Sequence, residues 1–304
     1  MNSSRPRITI VTPCFNSEAT IEDTLRSIYN QNYCNLEHIV MDGGSTDGTL
    51  TILDKYKDKI AKLVSKKDAG QYHAINEGFS YATGDIYCWL NADDISMPWT
   101  LETIAEIFTQ FKEVHWIAGT SAFTNKRGLL KRIYNNISAK DQTAIQCGWY
   151  TKNGYGYLQQ ESMFWTKELW GKVNGLDCRY KMAADFDLWV RFANHAILYS
   201  LDIPLSAFRI HNNSRSVIQA DLYTSEVKQI RAKLKPLPLR YRLFGKYRIL
   251  NFLLRLLTLK KTMIIIQGMA SDSWTMHKRR RPLSGINFMS LRLENSVRRL
   301  DKKK

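Results

Sequence analysis

The sequence predicts an α/β fold built on a mainly parallel sheet flanked by helices. Three observations carry that expectation. Short apolar strand patterns alternate with amphipathic helix patterns through the first ninety residues. Polar, carboxylate-rich turns recur at the ends of those strands. The length, 304 residues, suits one large domain or two modest ones.

Ile8-Thr9-Ile10-Val11-Thr12 is a buried-strand pattern that ends at Pro13. Asn16 or Ser17 can cap the next helix, which carries Ile21, Leu25 and Ile28 on one apolar face. Glu37 to Met41 is a second strand, stopped by Asp42-Gly43-Gly44. Asp47 can cap a short helix through Leu50 and Leu53. Ile60 to Val64 reads as a third strand, Gln71 to Ala82 as a helix ending near Gly84, and Ile86 to Leu90 as a fourth strand. Such alternation implies right-handed crossovers, and ligands of such sheets bind beyond the carboxyl ends of the strands. The residues at that rim are Thr12-Pro13, Asp42, Asp68 and Asn91-Ala92-Asp93-Asp94. Any one of these aspartates is an ordinary turn residue. All of them at one rim point to a site.

Composition narrows the chemistry. Hydrophobic residues make up 44% and charged residues 24%, which excludes collagen-like, low-complexity and wholly disordered chains. Five cysteines without C-x-x-C spacing argue against a zinc site or a disulfide framework and suggest a reducing, cytoplasmic compartment. No apolar run reaches the ~18 residues of a membrane span. Neither G-x-x-x-x-G-K-[ST] nor G-x-G-x-x-G follows the first strand, which disfavours a P-loop NTPase or an ordinary dinucleotide enzyme. An acidic rim repels a diphosphate unless a divalent cation lies between them. Mg²⁺ or Mn²⁺ on Asp93-Asp94 would satisfy that condition.

Four segments together resemble the family 2 glycosyltransferases: Ile10 to Asn16, Val40 to Thr49, Leu90 to Asp94, and Ala184 to Arg191. The resemblance covers about residues 7–215. It implies the GT-A fold, a Rossmann-like mainly parallel sheet flanked by helices, and an inverting transfer from a nucleotide-sugar donor to a hydroxyl acceptor. On that reading Thr12, Pro13, Asp42, Asp68, Asn91 and Asp93 border the donor. Asp93 matches the metal-binding member of the family's D-x-D motif, with Mg²⁺ or Mn²⁺ as cofactor. Asn91 departs from the motif and would hold a cation less strongly. Asp94 and His211 are further candidate metal contacts, and Arg209 or His211 can meet the diphosphate. Asp185 matches the family's catalytic base, while Asp187 is placed to pair with Arg191 at i, i+4. Ala184 departs from the Glu common in relatives. Glu161 and Trp149 fall on the acceptor side, with Tyr155 and Tyr157 as other stacking candidates. The rivals are a non-catalytic membrane- or nucleic-acid-binding protein on the same fold, and a nucleotidyltransferase.

The charge is uneven. Residues 1–230 carry 24 Lys/Arg against 25 Asp/Glu, a net of −1, whereas residues 231–304 carry 20 against 3, a net of +17. The sequence therefore divides into a catalytic domain over 1–230 and a basic C-terminal region over 231–304, with Pro236 and Pro238 near the boundary. Leu239 to Leu259 reads as a basic amphipathic helix, making the extension basic and helical. An anionic membrane surface is the favoured partner of that region, at the cytoplasmic face and within reach of a saccharide or lipid-linked acceptor. No nucleic-acid-binding motif supports a nucleic-acid partner.

Overall fold

The computed structural model describes residues 5–133, 140–151, 154–211, 214–238, 262–267 and 274–279. The first ninety residues run β1 (Ile8–Cys14), α1 (Ile21–Tyr29), β2 (Leu36–Asp42), α2 (Thr49–Asp54), β3 (Lys62–Ser65), α3 (Gln71–Tyr81) and β4 (Ile86–Trp89). The expected alternation is present with small shifts: β3 starts two residues late, and α1 begins at Ile21. The predicted cap at Asn16 or Ser17 does not form. Asn16 instead takes a left-handed backbone, and its side chain accepts from the Thr46 amide at 2.9 Å. It ties the first turn to the second rather than starting a helix.

The chain continues through β5 (Ile95–Ser96), α4 (Thr100–Gln110), β6 (Trp116–Ala118), β7 (Ala122–Thr124) and β8 (Leu130–Ile133). Then come α5 (Gln142–Gln146), a 3₁₀ turn (Gln160–Ser162), β9 (Met163–Thr166), α6 (Lys167–Val173), α7 (Ala184–Phe192), β10 (Tyr199–Leu201) and β11 (Ser206–Arg209). The last elements are α8 (Arg215–Ile218), α9 (Ala220–Ala232), β12 (Thr262–Gln267) and β13 (Trp274–Arg279).

Two sheets result. The large one has the order β13-β12-β10-β6-β9-β4-β1-β2-β3, and the small one β5-β11-β7-β8. β1 pairs in parallel with β2 and β4, and β2 with β3, so all four carboxyl ends open on one rim. β9 enters antiparallel between β4 and β6 and brings the second half of the chain to that rim. Period-two alternation sorts the side chains. Ile8, Ile10, Ile86 and Cys88 pack with α1 and α4, whereas Val11, Tyr87 and Trp89 pack on the opposite face with α3 and α7. On that second face Trp89, Trp116, Trp165 and Trp189 interlock, with ring centroids 5.5 to 5.9 Å apart. Gly78 lets α3 lie close on β1: a Cβ there would sit 2.6 Å from Cγ1 of Val11.

The composition boundary at 230/231 is not a boundary of the fold. α9 runs through it, and β12 joins the main sheet parallel to β10. The described residues of the extension beyond 238 are therefore strands, not the expected helix, and the predicted amphipathic segment 239–259 lies outside the described residues. Ile265 and Trp274 are buried in the same core as α4. The Trp274 indole donates to Glu106 at 2.9 Å, and its carbonyl accepts from Gln110 at 2.9 Å. Trp274→Ala should accordingly destabilise the whole chain by about 3–5 kcal/mol. Ending the chain at residue 230 should lower the melting temperature of the body. Differential scanning calorimetry checks both, and an unchanged transition would mean that the extension is an independent appendage.

Candidate functional site

The donor side is built where β1, β2 and β3 end. Asp42 closes β2 and is almost fully buried. Its carboxylate accepts from the Gly44 and Ser45 amides at 3.1 Å, from the Ser45 hydroxyl at 2.5 Å and from the Ser65 hydroxyl at 2.7 Å. Gly44 takes a positive φ of 84° inside this turn, a conformation that favours glycine. Asp42 thus holds the turn rather than reaching for a base or ribose. Thr12 is also turned inward: its hydroxyl bonds His38 Nε2 at 2.9 Å, and Tyr29 bonds the other ring nitrogen at 2.7 Å. Burial pushes that imidazole down to about 3, so it is neutral and fixes Thr12 in place. Pro13 is buried in β1. Asp68 is half-buried and open on one side. One of its oxygens accepts from the Gly70 amide at 2.8 Å. The other would lie 3.0 Å from a Cβ on Gly43, and the Cβ of exposed Phe15 lies 3.5 Å from the same point. Gly43 therefore packs against Phe15 and Asp68 with little room for a side chain.

The segment after β4 is pinned from three sides. Asn91 accepts from Gln71 at 2.7 Å and donates to Asp94 at 3.1 Å and Gln160 at 3.3 Å. Its amide is therefore committed to neighbours and is not the open ligand contact expected. Asp94 is fully buried; its carboxylate accepts from the Arg209 amide at 3.0 Å and from Asn91. Burial first, then the charges of Asp93 and Glu161, push its carboxyl well above the usual range. That environment makes Asp94 a brace, not the expected metal contact. Arg209 is buried as well. Its guanidinium donates to the Asp93 carbonyl at 2.6 Å, the Lys126 carbonyl at 3.2 Å and Asp23 at 3.0 Å. It cannot also meet a diphosphate. Asp93 alone in this segment turns a carboxylate outward, with its side chain 30% exposed, and His211 Nε2 lies 2.9 Å from its Oδ2.

Among the described residues no group of three or more His, Cys, Asp or Glu is arranged to hold a metal ion. Asp93 and His211 form a pair. One carboxylate and one imidazole fit Mg²⁺ or Mn²⁺, which use few protein ligands when substrate phosphates and water complete the shell. Asp93, Asp94 and Glu161 are crowded together, a mutual repulsion that such an ion would relieve.

Across the rim, Glu161 is buried in the 3₁₀ turn and its Oε1 has no hydrogen-bond partner. Burial, then Asp93 and Asp185, push it up to about 8. Asp185 stands in the first turn of α7 with Oδ1 buried and without a hydrogen-bond partner. Burial is the main cause that raises it to about 6, opposed by bonds from the Phe186 amide and its own, and Glu226 adds to the rise. The pocket at Asp185 is lined by Tyr150, Leu158, Trp189 and Tyr223, among others. Trp149 is not part of that lining; the Arg231 guanidinium lies 5.0 Å from its ring. Tyr157 is half exposed, edge-on to Tyr223. Asp187 pairs with Arg191 at 2.7 Å, as its spacing predicts.

Sequence reasoning missed Glu226. From α9 it accepts the amides of Lys181, Met182 and Ala183 at 2.8, 2.8 and 2.9 Å, fixing the turn that leads into Asp185. Tyr72 donates to the Met182 carbonyl at 2.9 Å, and Arg215 to that of Lys181 at 3.1 Å. Arg215 also bonds Gln71, so the donor-side and Asp185 segments are joined. No local pattern marks Glu226, because its partners lie more than forty residues away.

A mainly parallel sheet flanked by helices, with an outward carboxylate at the strand ends and a second, buried one in an aromatic-lined cavity, matches the GT-A class of folds. The Glycosyl transferase family 2 profile matches residues 9–171, more than half of the chain. The chain belongs to that family. A Bacillus subtilis (strain 168) protein, EpsE, described as a glycosyltransferase, is 36% identical over 106 residues, covering 34% of this chain and 38% of its own length. Staphylococcus aureus TarS in complex with UDP-GlcNAc superimposes with a TM-score of 0.57 at 19% identity, over 84% of this chain and 76% of TarS. The mannosyltransferase PcManGT of Pyrobaculum calidifontis, in complex with GDP-Man and Mn²⁺, does so with a TM-score of 0.56 at 20% identity, over 78% and 67%. At such identities the likeness shows the fold.

Two outcomes follow from the carboxylate geometry. Glu226→Gln leaves one oxygen for three amide donors, so it should lower stability by about 1–3 kcal/mol. Losing its charge should also move the titration of Asp185 below about 6, as followed by carboxyl-carbon NMR. A lost melting temperature without that movement would make Glu226 a structural clamp only. Asp185, raised on folding, contributes stability below its unfolded value that is lost as pH rises through about 6. Asp185→Asn should therefore melt higher than wild type at pH 7.5, by the equivalent of roughly 3 kcal/mol, with the gap closing near pH 4.

Proposed function

We propose that this chain transfers a sugar from a nucleoside-diphosphate sugar to a hydroxyl of a saccharide or lipid-linked acceptor. The transfer inverts the anomeric centre and serves the assembly of a cell-surface polysaccharide or glycolipid. One observation carries the reading: Asp185, with an unpaired oxygen in an aromatic pocket and a raised pKa of about 6, shares an electrostatic field with Glu161 and through it with Asp93. A carboxylate poised there accepts a proton from an acceptor hydroxyl as that oxygen attacks the anomeric carbon. Tyr150, Trp189 and Tyr223 line the small cavity at Asp185 and keep its carboxyl out of bulk water. Glu161, buried and pushed above the usual carboxylate range, adds to the field that raises Asp94.

On the donor side the strand ends that carry exposed Phe15 and half-buried Asp68 border the nucleoside. UDP-GlcNAc in TarS and GDP-Man in PcManGT support a nucleotide-sugar donor without choosing the base. Asp93 and His211 would hold the divalent cation, which, when bound, neutralises the leaving diphosphate. The Mn²⁺ of PcManGT supports that assignment. The net +17 of residues 231–304 favours a peripheral position on the cytoplasmic face of an anionic membrane. Among the described residues no helix is long and apolar enough to cross one.

Screening nucleotide sugars for binding and slow hydrolysis with Mn²⁺ identifies the donor; no binding by any of them would remove the proposal. Asp185→Asn should keep donor binding and lower turnover about 10²-fold or more. Asp187→Asn, which weakens only the Arg191 pair, should cost far less. The wild-type rate should climb with pH through about 6, because the base works deprotonated. Asp93→Ala should abolish Mn²⁺-dependent nucleoside diphosphate binding in calorimetry, and unchanged binding would take Asp93 out of that role.

A further inference from the structure

The small sheet has an outer face that the reaction does not use. Its register sets Phe208 of β11 opposite Phe123 of β7, and Phe123 opposite Arg132 of β8. Phe123 and Phe208 are partly exposed and meet edge to face at 6.3 Å. Ile210, two residues beyond Phe208 and so on the same side, is also exposed. The turn from β7 and the strand after it read Lys126-Arg127-Gly128-Leu129-Leu130-Lys131-Arg132. All but Gly128 are exposed, none is acidic, and Leu129 and Leu130 are 61% and 50% exposed.

Lysines on an edge strand commonly keep other strands away. That role does not call for two adjacent exposed leucines at the tip. The tip is also held in shape. Asn125 accepts through its side chain from the Arg127 and Leu129 amides at 2.9 and 3.1 Å, and Gly128 closes the turn at φ 75°. The acid nearest Gly128, Asp23, is paired with Arg209. Little order remains to be imposed when such a tip docks. Cations that attract phosphate headgroups, with leucines between them to enter the acyl boundary, match the chemistry of an anionic lipid surface.

We propose that the β7–β8 hairpin and the adjoining outer face of the small sheet dock on an anionic lipid bilayer. The proposal deepens the membrane reading above and rests on it, but on residues other than the basic tail. Arg209 joins the hairpin to the site: it donates to the Lys126 carbonyl and to the Asp93 carbonyl. A docked hairpin therefore brings the rim of the site to the interface at which a lipid-linked acceptor is presented.

The test uses the full chain with phosphatidylglycerol–phosphatidylcholine vesicles and with phosphatidylcholine alone. Hydrogen–deuterium exchange should show new protection over 126–132 with anionic vesicles only. Leu129→Ser with Leu130→Ser, and separately Lys126→Ser with Lys131→Ser, should each weaken co-sedimentation roughly tenfold or more at fixed salt. Melting temperature and donor hydrolysis should stay unchanged, since these side chains touch no part of the site. Vesicle binding without protection at 126–132, and with wild-type affinity in both variants, would leave the tail as the anchor and overturn the hairpin. Absence of vesicle binding by the wild type would overturn both. Protection of 126–132 before vesicles are added would mean that the chain covers this face itself, and tighter binding to an acidic protein or RNA than to vesicles would assign it another partner; either sinks the proposal.

Discussion

The buried guanidinium of Arg209 is the fastener on which the site depends. A charge removed from water must find partners, or it costs several kcal/mol. Arg209 finds them in three elements remote in sequence: the Asp93 carbonyl after β4, Asp23 in α1, and the Lys126 carbonyl in the hairpin. Its own amide binds Asp94. Removing the side chain would strand a carbonyl pair and free the only described segment that turns Asp93 outward. The small sheet is thereby made part of the active rim rather than a decoration on the large one. Replacing Arg209 by Lys would not suffice, because one ammonium cannot reproduce a planar fork aimed in three directions.

With that segment pinned, the remaining constraint is electrostatic. Asp93, Asp94, Glu161 and Asp185 influence one another in a region of low exposure, and three of the four are pushed upward by burial first and charge second. Folding works against this crowding. Compensation comes from elsewhere: the tryptophan cluster beneath the pocket, and Glu226, which spends its own charge on three backbone amides. A group held above its ordinary pKa lowers stability and gains basicity together, so the destabilised carboxyl is also the one suited to accept a proton near neutral pH.

The sheet was legible because its signals are local. Ile8 to Val11 alternates between two cores and Ile21, Leu25 and Ile28 share one helix face, so periodicity alone placed β1 and α1. The strand ends were legible from the same local pattern: Asp42 closes β2, Asp68 follows β3 and Asp93 follows β4. What failed was the sense of individual side chains. Thr12, Asp42, Asn91 and Asp94 stand at the rim as expected, yet each is turned toward a partner that sequence distance hides: His38, Ser65, Gln71 and Arg209. A carboxylate in a motif can bind a ligand or hold the turn that presents the ligand site. Only the count of amides pointed at it tells which, and that count is a tertiary quantity. Trp149 failed for the same reason, since the cation over its ring comes from α9.

Charge misled about domains for a related reason. The break between −1 and +17 falls at residue 230, inside α9, whose two sides of that point do different work on the same body. Glu226 holds the turn into Asp185, and Arg231 covers Trp149. Beyond it, β12 returns to the edge of β10, and Ile265 of β12 and Trp274 of β13 are buried against the core. Composition reports what a surface meets in solution, because charges are selected by partners outside the chain. Burial reports what folds together. Here the two divisions do not coincide: among the described residues, β12 and β13 of the basic region are strands of the main sheet. A membrane contact made through β12 or β13 would therefore fix the orientation of the site, not merely its location.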